Sequence, residues 1–202
     1  MKLESEDLVC ILERYMSDEQ SYYRANPGSG FWRWGWVQQR ERLAAVAEWC
    51  ASKCEGSIVE IGCQEGLTTK LLGAVARKHN RRVIAVDSWI PGTSGCEGGE
   101  YEKFLANIEL YQDIIEVLRL PSDDVRVSNR LVNEQLCFAY VDALHTTVAC
   151  AQDIRIVSHA SCIAVDDILW DGAVLVAYME SFRARLHVRH PYCREGYLLG
   201  VQ

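Results

Sequence analysis

The sequence lacks any apolar run of the roughly 20 residues that a membrane-spanning helix needs, so we expect no membrane partner. Proline is scarce, with 4 residues in 202, and the 14 glycines follow no repeat, which excludes a collagen-like or linker-dominated chain. The acidic residues Glu4, Glu6 and Asp7 are atypical of a signal or transit peptide, and we expect neither. The hydrophobic fraction of 49% is nevertheless sufficient for a packed core.

Basic residues are outnumbered by acidic ones, 21 to 28, and the formal net charge is −7. Because such a surface repels phosphate backbones, we predict that nucleic acid is not a partner. The nine cysteines include no C-x-x-C pair of the kind that binds zinc. We therefore interpret them as reduced, mostly buried thiols of a cytoplasmic protein, with metal binding at Cys50 and Cys54 as the less favoured alternative.

The first 50 residues differ in pattern from the remainder, and we predict a helical cap over residues 1–50 and a second domain over residues 51–202. Apolar residues at helical spacing over residues 8–16 predict an amphipathic helix. We expect Ser5 to cap this helix and the helix to end near Pro27.

Tryptophan alternates with other residues at Trp32, Trp34 and Trp36, and a second predicted helix follows over residues 43–49. These rings could form an aromatic wall for a substrate, because each brings a large apolar area and a polar edge. We favour the alternative, in which they pin the N-terminal helices to the rest of the fold or form the contact of a homodimer.

From Ser57 onward, short β-branched runs alternate with helix-like segments. The predicted strands cover residues 58–62, 82–87, 114–120, 136–142, 162–166, 185–190 and 197–201. The first five are separated by enough chain for helical crossovers, so they should run parallel with helices on both faces. The last two are too close in sequence for a crossover helix. The predicted fold is thus an α/β, doubly wound, mainly parallel sheet that ends in an antiparallel C-terminal hairpin strand.

The loop after the first predicted strand reads Glu60-Ile61-Gly62-Cys63-Gln64-Glu65-Gly66. Its glycines allow a tight turn and a close approach to a ligand. The spacing is not the GxGxxG of dinucleotide-binding proteins, which argues against an NAD-linked oxidoreductase. The acid before the first glycine suits the ammonium group of an amino-acid-like ligand better than a pyrophosphate.

The second predicted strand ends in Asp87, 21 positions after Gly66. An acid at the end of this strand, about 20 residues after the glycine loop, commonly accepts hydrogen bonds from ribose hydroxyls. The alternative is that Asp87 only caps the loop that follows it.

The order Glu-Ile-Gly-x-x-x-Gly followed by Asp87 resembles the class I S-adenosylmethionine-dependent methyltransferases, over about residues 57–202. The Gly-x-x-x-Gly spacing is similar to that of the metal-dependent O-methyltransferases of the catechol and caffeoyl-CoA types. Residues 86–92 resemble relatives of macrocin O-methyltransferase. The resemblance implies a Rossmann-like methyltransferase sheet and S-adenosylmethionine as the cofactor. The contacts it implies are Glu60, Gly62 and Gly66 for the methionine part, Thr68 for its carboxylate, Asp87 for the ribose, and Ser122 and Asp123 for the adenine.

Two later predicted strands end abruptly in acids, the first in Asp142 and the second in Asp166 and Asp167. As neighbours in the predicted sheet, their axes lie roughly 4.8 Å apart, and three ionised carboxylates that close together repel one another. A divalent cation removes this conflict, and all-oxygen ligation suits Mg²⁺, or Mn²⁺ or Ca²⁺, better than zinc. We therefore predict a metal site at these three residues. The alternative is that the last two cap a helix beginning near Asp171.

His145 lies three residues after Asp142 and is our candidate for the base that takes the proton of the acceptor. We count Asp142 as catalytic as well, through the cation that it holds. The alternative for His145 is a histidine at the surface or at a helix start. His159, His187 and His190 have no supporting pattern.

The loop over residues 91–99 is rich in glycine and follows the cofactor strand, which indicates a lid over the site, with an ordinary mobile loop as the alternative. Trp89, Tyr101 and Trp170 are then candidates for contacts with the substrate.

Together these features predict cation-assisted transfer of a methyl group from S-adenosylmethionine to a hydroxyl group of a small molecule, such as a sugar, natural product or phenol. One alternative is a metal-independent methyltransferase of the same fold that acts on nitrogen, oxygen or carbon. Another is a non-catalytic protein that binds S-adenosylmethionine or its demethylated product, because fold alone does not establish activity.

Overall fold

The computed structural model describes residues 3–25, 31–93, 96–169, 171–181, 185–188 and 195–200, with side chains for all of these except 16–25, 31–38, 185 and 187. The helices are α1 (Ser5–Ala25), α2 (Phe31–Lys53), α3 (Leu67–Lys78), α4 (Glu100–Ile108), α5 (Val125–Leu131), α6 (Thr147–Ile156) and α7 (Gly172–Glu180). The strands are β1 (Ser57–Ile61), β2 (Val83–Asp87), β3 (Ile115–Arg119), β4 (Leu136–Val141), β5 (Cys162–Val165), β6 (Arg185–Val188) and β7 (Gly196–Gly200).

The strands form one seven-stranded sheet in the order β3-β2-β1-β4-β5-β7-β6. Strands β1 to β5 run parallel to their neighbours, and β7 is antiparallel to both β5 and β6. The predicted doubly wound sheet with its antiparallel hairpin is therefore confirmed. The strand order changes direction between β1 and β4, and ligands of open α/β sheets bind at such a place.

Side chains of the central strands alternate between two buried layers, as the pleat of a strand requires. Ile58 and Phe138 belong to the layer that α1 to α4 cover, whereas Val59 and Ala139 belong to the layer that α5 to α7 cover. Because helices cover both faces, the strands are apolar over most of their length, which is why they were recognisable in the sequence.

The two N-terminal helices contribute to the first of these layers. Leu8, Leu43 and Val46 are fully buried there, and α2 continues through residue 50 to Lys53. The division of the chain at residue 50 stays a prediction. Helix α1 ends at Ala25, close to the predicted end, but it begins at Ser5 itself, one residue earlier than a cap at Ser5 requires.

A buried ion pair fastens α2 to the chain just before β7. Arg42 donates through Nε and Nη2 to the two carboxylate oxygens of Glu195, and the Tyr197 hydroxyl donates to the same carboxylate at 3.0 Å. The side chains of Arg42 and Glu195 are only 3% and 1% exposed. The bidentate contact between Arg42 and Glu195, together with the hydrogen bond from Tyr197, offsets the free energy that is needed to remove two charges from water.

Every cysteine among the described residues is a free thiol, and most of them are buried, as predicted, whereas the cytoplasmic location stays a prediction. Neither Cys50 nor Cys54 belongs to a group with metal-ligand spacing in the described part of the chain. Among the described helices, none is long and apolar enough to cross a membrane.

Candidate functional site

The ends of four neighbouring strands bring the predicted site residues to one edge of the sheet. The last paired positions of β1, β2, β4 and β5 lie side by side in the register. The residues at or directly after these ends are Gly62, Asp87, Asp142 and Asp166. The loops that carry the predicted cofactor and metal residues therefore start next to one another.

The two glycines of the first loop are required by the packing of the protein itself. Gly62 has a φ of +90°, and a Cβ atom there would lie 1.9 Å from the carbonyl oxygen of Asp142. Gly66 has a φ of +77°, and a Cβ atom there would lie 2.6 Å from the ring of Phe104. Both positions demand glycine before any ligand is considered, which agrees with the tight turn predicted from the sequence, while the close approach to a ligand stays a prediction.

Asp87 organises the loops on both sides of it. One carboxylate oxygen accepts from the backbone N–H groups of Cys63, at 2.9 Å, and Gln64, at 3.0 Å. The other oxygen accepts from the backbone N–H of Trp89 at 2.9 Å. A carboxylate offers about four acceptor positions, so these three bonds leave room for a further donor. The described contacts are those of the loop-capping alternative, and the ribose contact stays a prediction.

Glu60 is buried in β1 beside the first loop. Burial raises the pKa of Glu60 to about 8; the Thr69 hydroxyl, which donates to this carboxyl group, opposes the rise, and the charge of Asp87 adds to it. Thr68, which was predicted to meet the cofactor carboxylate, lies next to Thr69 in the first turn of α3. The partnership between Thr69 and Glu60 was missed in the sequence, because it joins the first turn of a helix to the preceding strand.

Trp89 is buried and supports the first loop. Its indole N–H donates to the carbonyl oxygen of Gln64 at 2.7 Å, and its ring centroid lies 4.6 Å from that of Phe104 and 5.0 Å from that of Tyr101. Trp89 is only 4% exposed, so its described role is to support the first loop, and its contact with the substrate stays a prediction. Tyr101 is half-buried, and its contact with the substrate stays a prediction.

Hydrogen bonds hold both ends of the predicted lid, residues 91–99, in the part of the loop that the structure describes. The backbone N–H of Gly92 donates to the carbonyl oxygen of Cys96 at 2.7 Å. Near the other end, the carboxylate of Glu100 accepts from the backbone N–H groups of Glu97, at 2.9 Å, and Gly98, at 2.8 Å. The lid function itself stays a prediction.

Several predicted features lie outside the residues or side chains that the structure describes. They are Trp32, Trp34, Trp36, Trp170, His187, His190 and residues 94 and 95 of the loop. The homodimer contact through the N-terminal tryptophans therefore stays a prediction. The small-molecule acceptor also stays a prediction. His159 is described, is exposed, and has Nε2 3.0 Å from the carbonyl oxygen of Glu134.

Ser122 and Asp123, the predicted adenine contacts, lie in the turn after β3 near a buried carboxyl group of α6. That group is Asp153, which is 1% exposed and has no hydrogen bond of normal geometry to either oxygen. Burial raises the pKa of Asp153 to about 6; the Ser122 hydroxyl opposes the rise, and the charge of Asp123 adds to it. The buried carboxyl group thus favours its protonated form far more than an exposed aspartate does.

Replacing Asp153 by asparagine should stabilise the protein at alkaline pH. Because the pKa of this group is about 6 in the folded state against an ordinary 3.8, the folded protein retains a proton that the unfolded chain releases. Stability should therefore fall as the pH rises from about 4 through about 6. A difference of about 2 pKa units corresponds to about 3 kcal/mol.

Urea denaturation at pH 8 should accordingly show Asp153→Asn to be more stable than the wild type by up to about 3 kcal/mol, an advantage that disappears near pH 4. Glu109→Gln, which removes an exposed acid, serves as the control. Equal stability of Asp153→Asn and wild type at pH 8 would contradict the effect that we assign to burial.

A second group of polar side chains occupies the loops after β4 and β5. The potential ligand atoms of Asp142, His145 and Asp167 all lie within 4.8 Å of one another. Nε2 of His145 is 3.4 Å from Oδ2 of Asp167, and Nδ1 of the same ring is 3.5 Å from Oδ2 of Asp171. Two carboxylates and an imidazole at this spacing can hold a divalent cation.

Asp166 lies outside that group, and its place in the predicted ligand set stays a prediction. Its Oδ1 atom accepts from Nε2 of Gln39 at 2.7 Å and from the backbone N–H of Asp167 at 2.8 Å. Its Oδ2 atom accepts from the Tyr140 hydroxyl at 2.9 Å. These bonds direct the Asp166 carboxylate towards Gln39 of α2 and Tyr140 of β4, while His145 is the third member of the group.

The capping alternative for the two acids after β5 is wrong as well. Asp171 is the N-cap residue of α7, because its Oδ1 atom accepts from the backbone N–H of Ala173 at 2.8 Å. Asp166 and Asp167 precede the helix by several residues. The Asp166 carboxylate contacts Gln39 and Tyr140, and the Asp167 carboxylate contacts His145.

Tyr140 and Gln39 are site residues that were not predicted from the sequence. The Tyr140 hydroxyl lies 3.2 Å from Oδ2 of Asp142 as well as against Asp166, and burial, with the charges of both acids, raises the pKa of Tyr140. Its position two residues before Asp142 in a strand was a usable signal, because such residues share a face. Gln39 gave no local signal, because it lies on α2, 127 residues before Asp166.

Comparison with known families decides what kind of protein has this site. A family model described as a methyltransferase domain matches residues 59–168, a segment that runs from β1 to the turn after β5. The chain belongs to this methyltransferase-domain family. It is therefore an enzyme that transfers methyl groups, and the resemblance to the class I methyltransferases is confirmed.

Solved methyltransferase structures share the fold at low sequence identity. CalS11, a TDP-rhamnose 3'-O-methyltransferase of calicheamicin biosynthesis, is 14% identical with a TM-score of 0.62, over 97% of this chain and 93% of its own. The O-methyltransferase NovP is 16% identical with a TM-score of 0.60, over 79% and 80%. The S-adenosylhomocysteine-bound methyltransferase PaMTH1 of Podospora anserina is 11% identical with a TM-score of 0.61, over 93% and 96%. No curated protein sequence matches this methyltransferase.

Proposed function

We propose that this methyltransferase moves the methyl group of S-adenosylmethionine to a hydroxyl group of a small molecule, with a divalent cation bound beside the acceptor. One observation carries the proposal: Asp87 and the group formed by Asp142, His145 and Asp167 lie at the same edge of the sheet. A nucleoside held at Asp87 would therefore lie next to side chains suited to a cation. The solved neighbours that are named O-methyltransferases support the same reaction.

The cofactor would lie across the ends of β1 and β2. Asp87 orders the first loop and retains acceptor capacity for a ribose hydroxyl. Glu60 would face the ammonium group of the methionine part, and a cation beside it would lower the pKa of this carboxyl group from the value of about 8 that burial gives it. The backbone N–H groups of the first turn of α3, near Thr68, would hold the carboxylate, because a helix N-terminus favours anions. Ser122 and Asp123 stay the proposed contacts of the adenine.

The donor atoms at the neighbouring loops fit a divalent cation. Ligands held about 2.1 Å from an octahedral ion lie about 3 Å apart when adjacent and about 4.2 Å apart when opposite. The ligand atoms of Asp142, His145 and Asp167 lie within 4.8 Å of one another. When bound, such a cation lowers the pKa of an acceptor hydroxyl and holds its oxygen in place.

The protein's own side chains hold this group in position. The Tyr140 hydroxyl contacts Asp142, and the carboxylate of Asp166 accepts from the backbone N–H of Asp167. In the transfer, a bond forms between the acceptor oxygen and the methyl carbon, and the carbon–sulfur bond breaks with its electron pair staying on the sulfur of S-adenosylhomocysteine. The proton of the acceptor hydroxyl passes to solvent. Alignment of reacting atoms can contribute roughly 7–11 kcal/mol in favourable cases. We also propose a cytoplasmic location, which the free thiols support.

Calorimetric titration with S-adenosylhomocysteine tests this function. We expect the wild type to bind it, and Asp87→Asn to bind at least about tenfold more weakly, because the variant loses a charged acceptor. Because Asp87 also orders the first loop, thermal melting by circular dichroism must show that the variant is folded. Asp113→Asn, which changes an exposed acid on another surface, should bind like the wild type.

A folded wild-type protein without affinity for S-adenosylhomocysteine would overturn the proposal. Full methyl transfer in the presence of a metal chelator would overturn only its cation part and favour a metal-independent methyltransferase. Binding of S-adenosylhomocysteine without transfer to any hydroxyl-bearing acceptor would favour the non-catalytic alternative.

A further inference from the structure

We propose that the molecule whose hydroxyl group is methylated is uncharged and has an apolar body, and that Leu144, Val148 and Leu169 contact this body. The inference rests on the proposed function and names the chemical class of the acceptor for that same site. It excludes phosphorylated acceptors, among them sugars that carry a nucleoside diphosphate.

The three apolar residues lie where the acceptor approaches the cofactor. A cofactor across the ends of β1 and β2 leaves the ends of β4 and β5, at the same edge of the sheet, for the acceptor. Leu144 lies in the loop after β4, Val148 in the first turn of α6, and Leu169 in the loop after β5. These residues therefore belong to the two loops that border the place of the acceptor.

The two loops are in contact with each other through His145. One ring nitrogen of His145 is 3.4 Å from Oδ2 of Asp167, and the other is 3.5 Å from Oδ2 of Asp171. Leu144 is the residue before His145, and Leu169 lies between the two acids in the sequence. The apolar side chains of the two loops thus flank one shared area rather than two separate surfaces.

The side chains of these residues face solvent although they are apolar. Val148 is 79% exposed, Leu144 48% and Leu169 37%, whereas Ile168, the residue before Leu169, is 1% exposed and belongs to the core. A single exposed apolar residue is ordinary in a protein, but several of them together at a functional edge are typical of a surface that binds a ligand. Their exposure therefore indicates an apolar ligand.

The polar side chains around them are used by the protein itself. The Thr146 hydroxyl accepts from the backbone N–H of Ala149 at 3.2 Å and caps α6. The Thr147 hydroxyl donates to the carbonyl oxygen of Ala173 at 3.2 Å, and the N–H of Ala173 donates to the Asp171 carboxylate, which caps α7. Outside the group proposed to hold the cation, the described side chains that these loops offer to an acceptor are therefore mainly apolar.

The charges of the loops disfavour a phosphorylated acceptor. Residues 142–149, 166–173 and 88–99 contain neither lysine nor arginine, and their acids are Asp142, Asp166, Asp167, Asp171 and Glu97. Phosphate groups are held in proteins by basic side chains or by the free N–H groups of a helix start, and the starts of α6 and α7 already carry caps. Two carboxylates also balance the charge of a divalent cation, so the acids that remain would repel a phosphate.

Binding of two naphthalene probes to the complete chain tests the inference. The probes 1-naphthol and 1-naphthyl phosphate share one apolar body and differ in charge. In calorimetric titrations of protein saturated with S-adenosylhomocysteine, we expect 1-naphthol to bind with a Kd below about 1 mM. We expect 1-naphthyl phosphate to bind at least about tenfold more weakly.

Leu144→Asn and Leu169→Asn should each weaken the binding of 1-naphthol about fivefold, because each removes apolar surface that the probe covers. Both positions are exposed, so both variants should fold, and thermal melting checks this. Leu110→Asn is the matched control, because it removes an exposed leucine, 67% exposed, that lies after α4. The control should leave the affinities for both probes unchanged.

Three results would overturn the inference: absence of 1-naphthol binding up to about 1 mM, equal or tighter binding of 1-naphthyl phosphate, or unchanged 1-naphthol affinity in both leucine variants. Titration of the same wild-type preparation with S-adenosylhomocysteine separates this failure from failure of the proposed function. If S-adenosylhomocysteine binds, such a result leaves the proposed function standing. If it does not bind, the proposed function falls and the inference falls with it.

Discussion

Gly62→Ala should yield little or no folded protein. A Cβ atom at this position would lie 1.9 Å from the carbonyl oxygen of Asp142, and the residue has a φ of +90°, which is unfavourable for alanine. The overlap is with backbone at the junction of β1 and β4, so no side chain can rotate away to relieve it. Overpacking typically costs 1–3 kcal/mol and backbone strain about as much again, and the sum is comparable to the total stability of many domains.

Gly92→Ala is the matched control, because Gly92 also has a positive φ, of +84°, but a Cβ atom there would meet nothing within 4 Å. The control should lose only about 1–2 kcal/mol, from strain alone. Soluble yield and thermal melting of both variants measure the difference. A Gly62→Ala protein that melts within a few degrees of Gly92→Ala would show that the first loop does not need glycine for packing.

Glu195→Gln should be the most destabilising change among the buried charged residues of the described chain. It leaves the guanidinium group of Arg42, which is 3% exposed, without the carboxylate that accepts two of its hydrogen bonds. Removal of one partner from a buried ion pair typically costs about 3–5 kcal/mol, because the remaining charge stays buried. Chemical denaturation at pH 7 should show a loss of this size.

Two further variants separate the buried charge from other effects. Asp113→Asn breaks an exposed ion pair with Arg77 and should cost at most about 1 kcal/mol. The double variant Arg42→Met with Glu195→Leu should lose less stability than Glu195→Gln alone, because no uncompensated charge remains. If the single change costs less than the exposed control, the ion pair does not fasten α2 to the sheet.

Much of the fold could be predicted because the sheet is parallel and covered on both sides. Strands such as β4 and β5 are continuous apolar runs that end in Asp142 and Asp166, and the length of chain between strands distinguishes a crossover from a hairpin. The same logic correctly placed these two acids on adjacent strands. Local pattern and strand order were sufficient for these features.

The details of the site depended on contacts that local pattern does not contain. Asp166 and Asp167 are adjacent in sequence, but Asp167 has a positive φ, and the Asp166 carboxylate accepts hydrogen bonds from Gln39 and Tyr140. The two side chains therefore point in different directions. Thr69 donates to Glu60 because the rotation of α3 about its axis turns this residue towards β1. The sequence around Thr69 does not show that rotation. Gly62 is a glycine because of β4, which lies almost 80 residues later in the sequence.

The most direct test of the whole account is a crystal structure of the protein grown with S-adenosylhomocysteine and Mn²⁺. The account predicts the ribose hydroxyls within hydrogen-bond distance of Asp87, the homocysteine part next to Glu60, and the sulfur turned towards Asp142. A nucleoside bound anywhere other than the ends of β1 and β2, or one whose sulfur points away from Asp142 and Asp167, would contradict it.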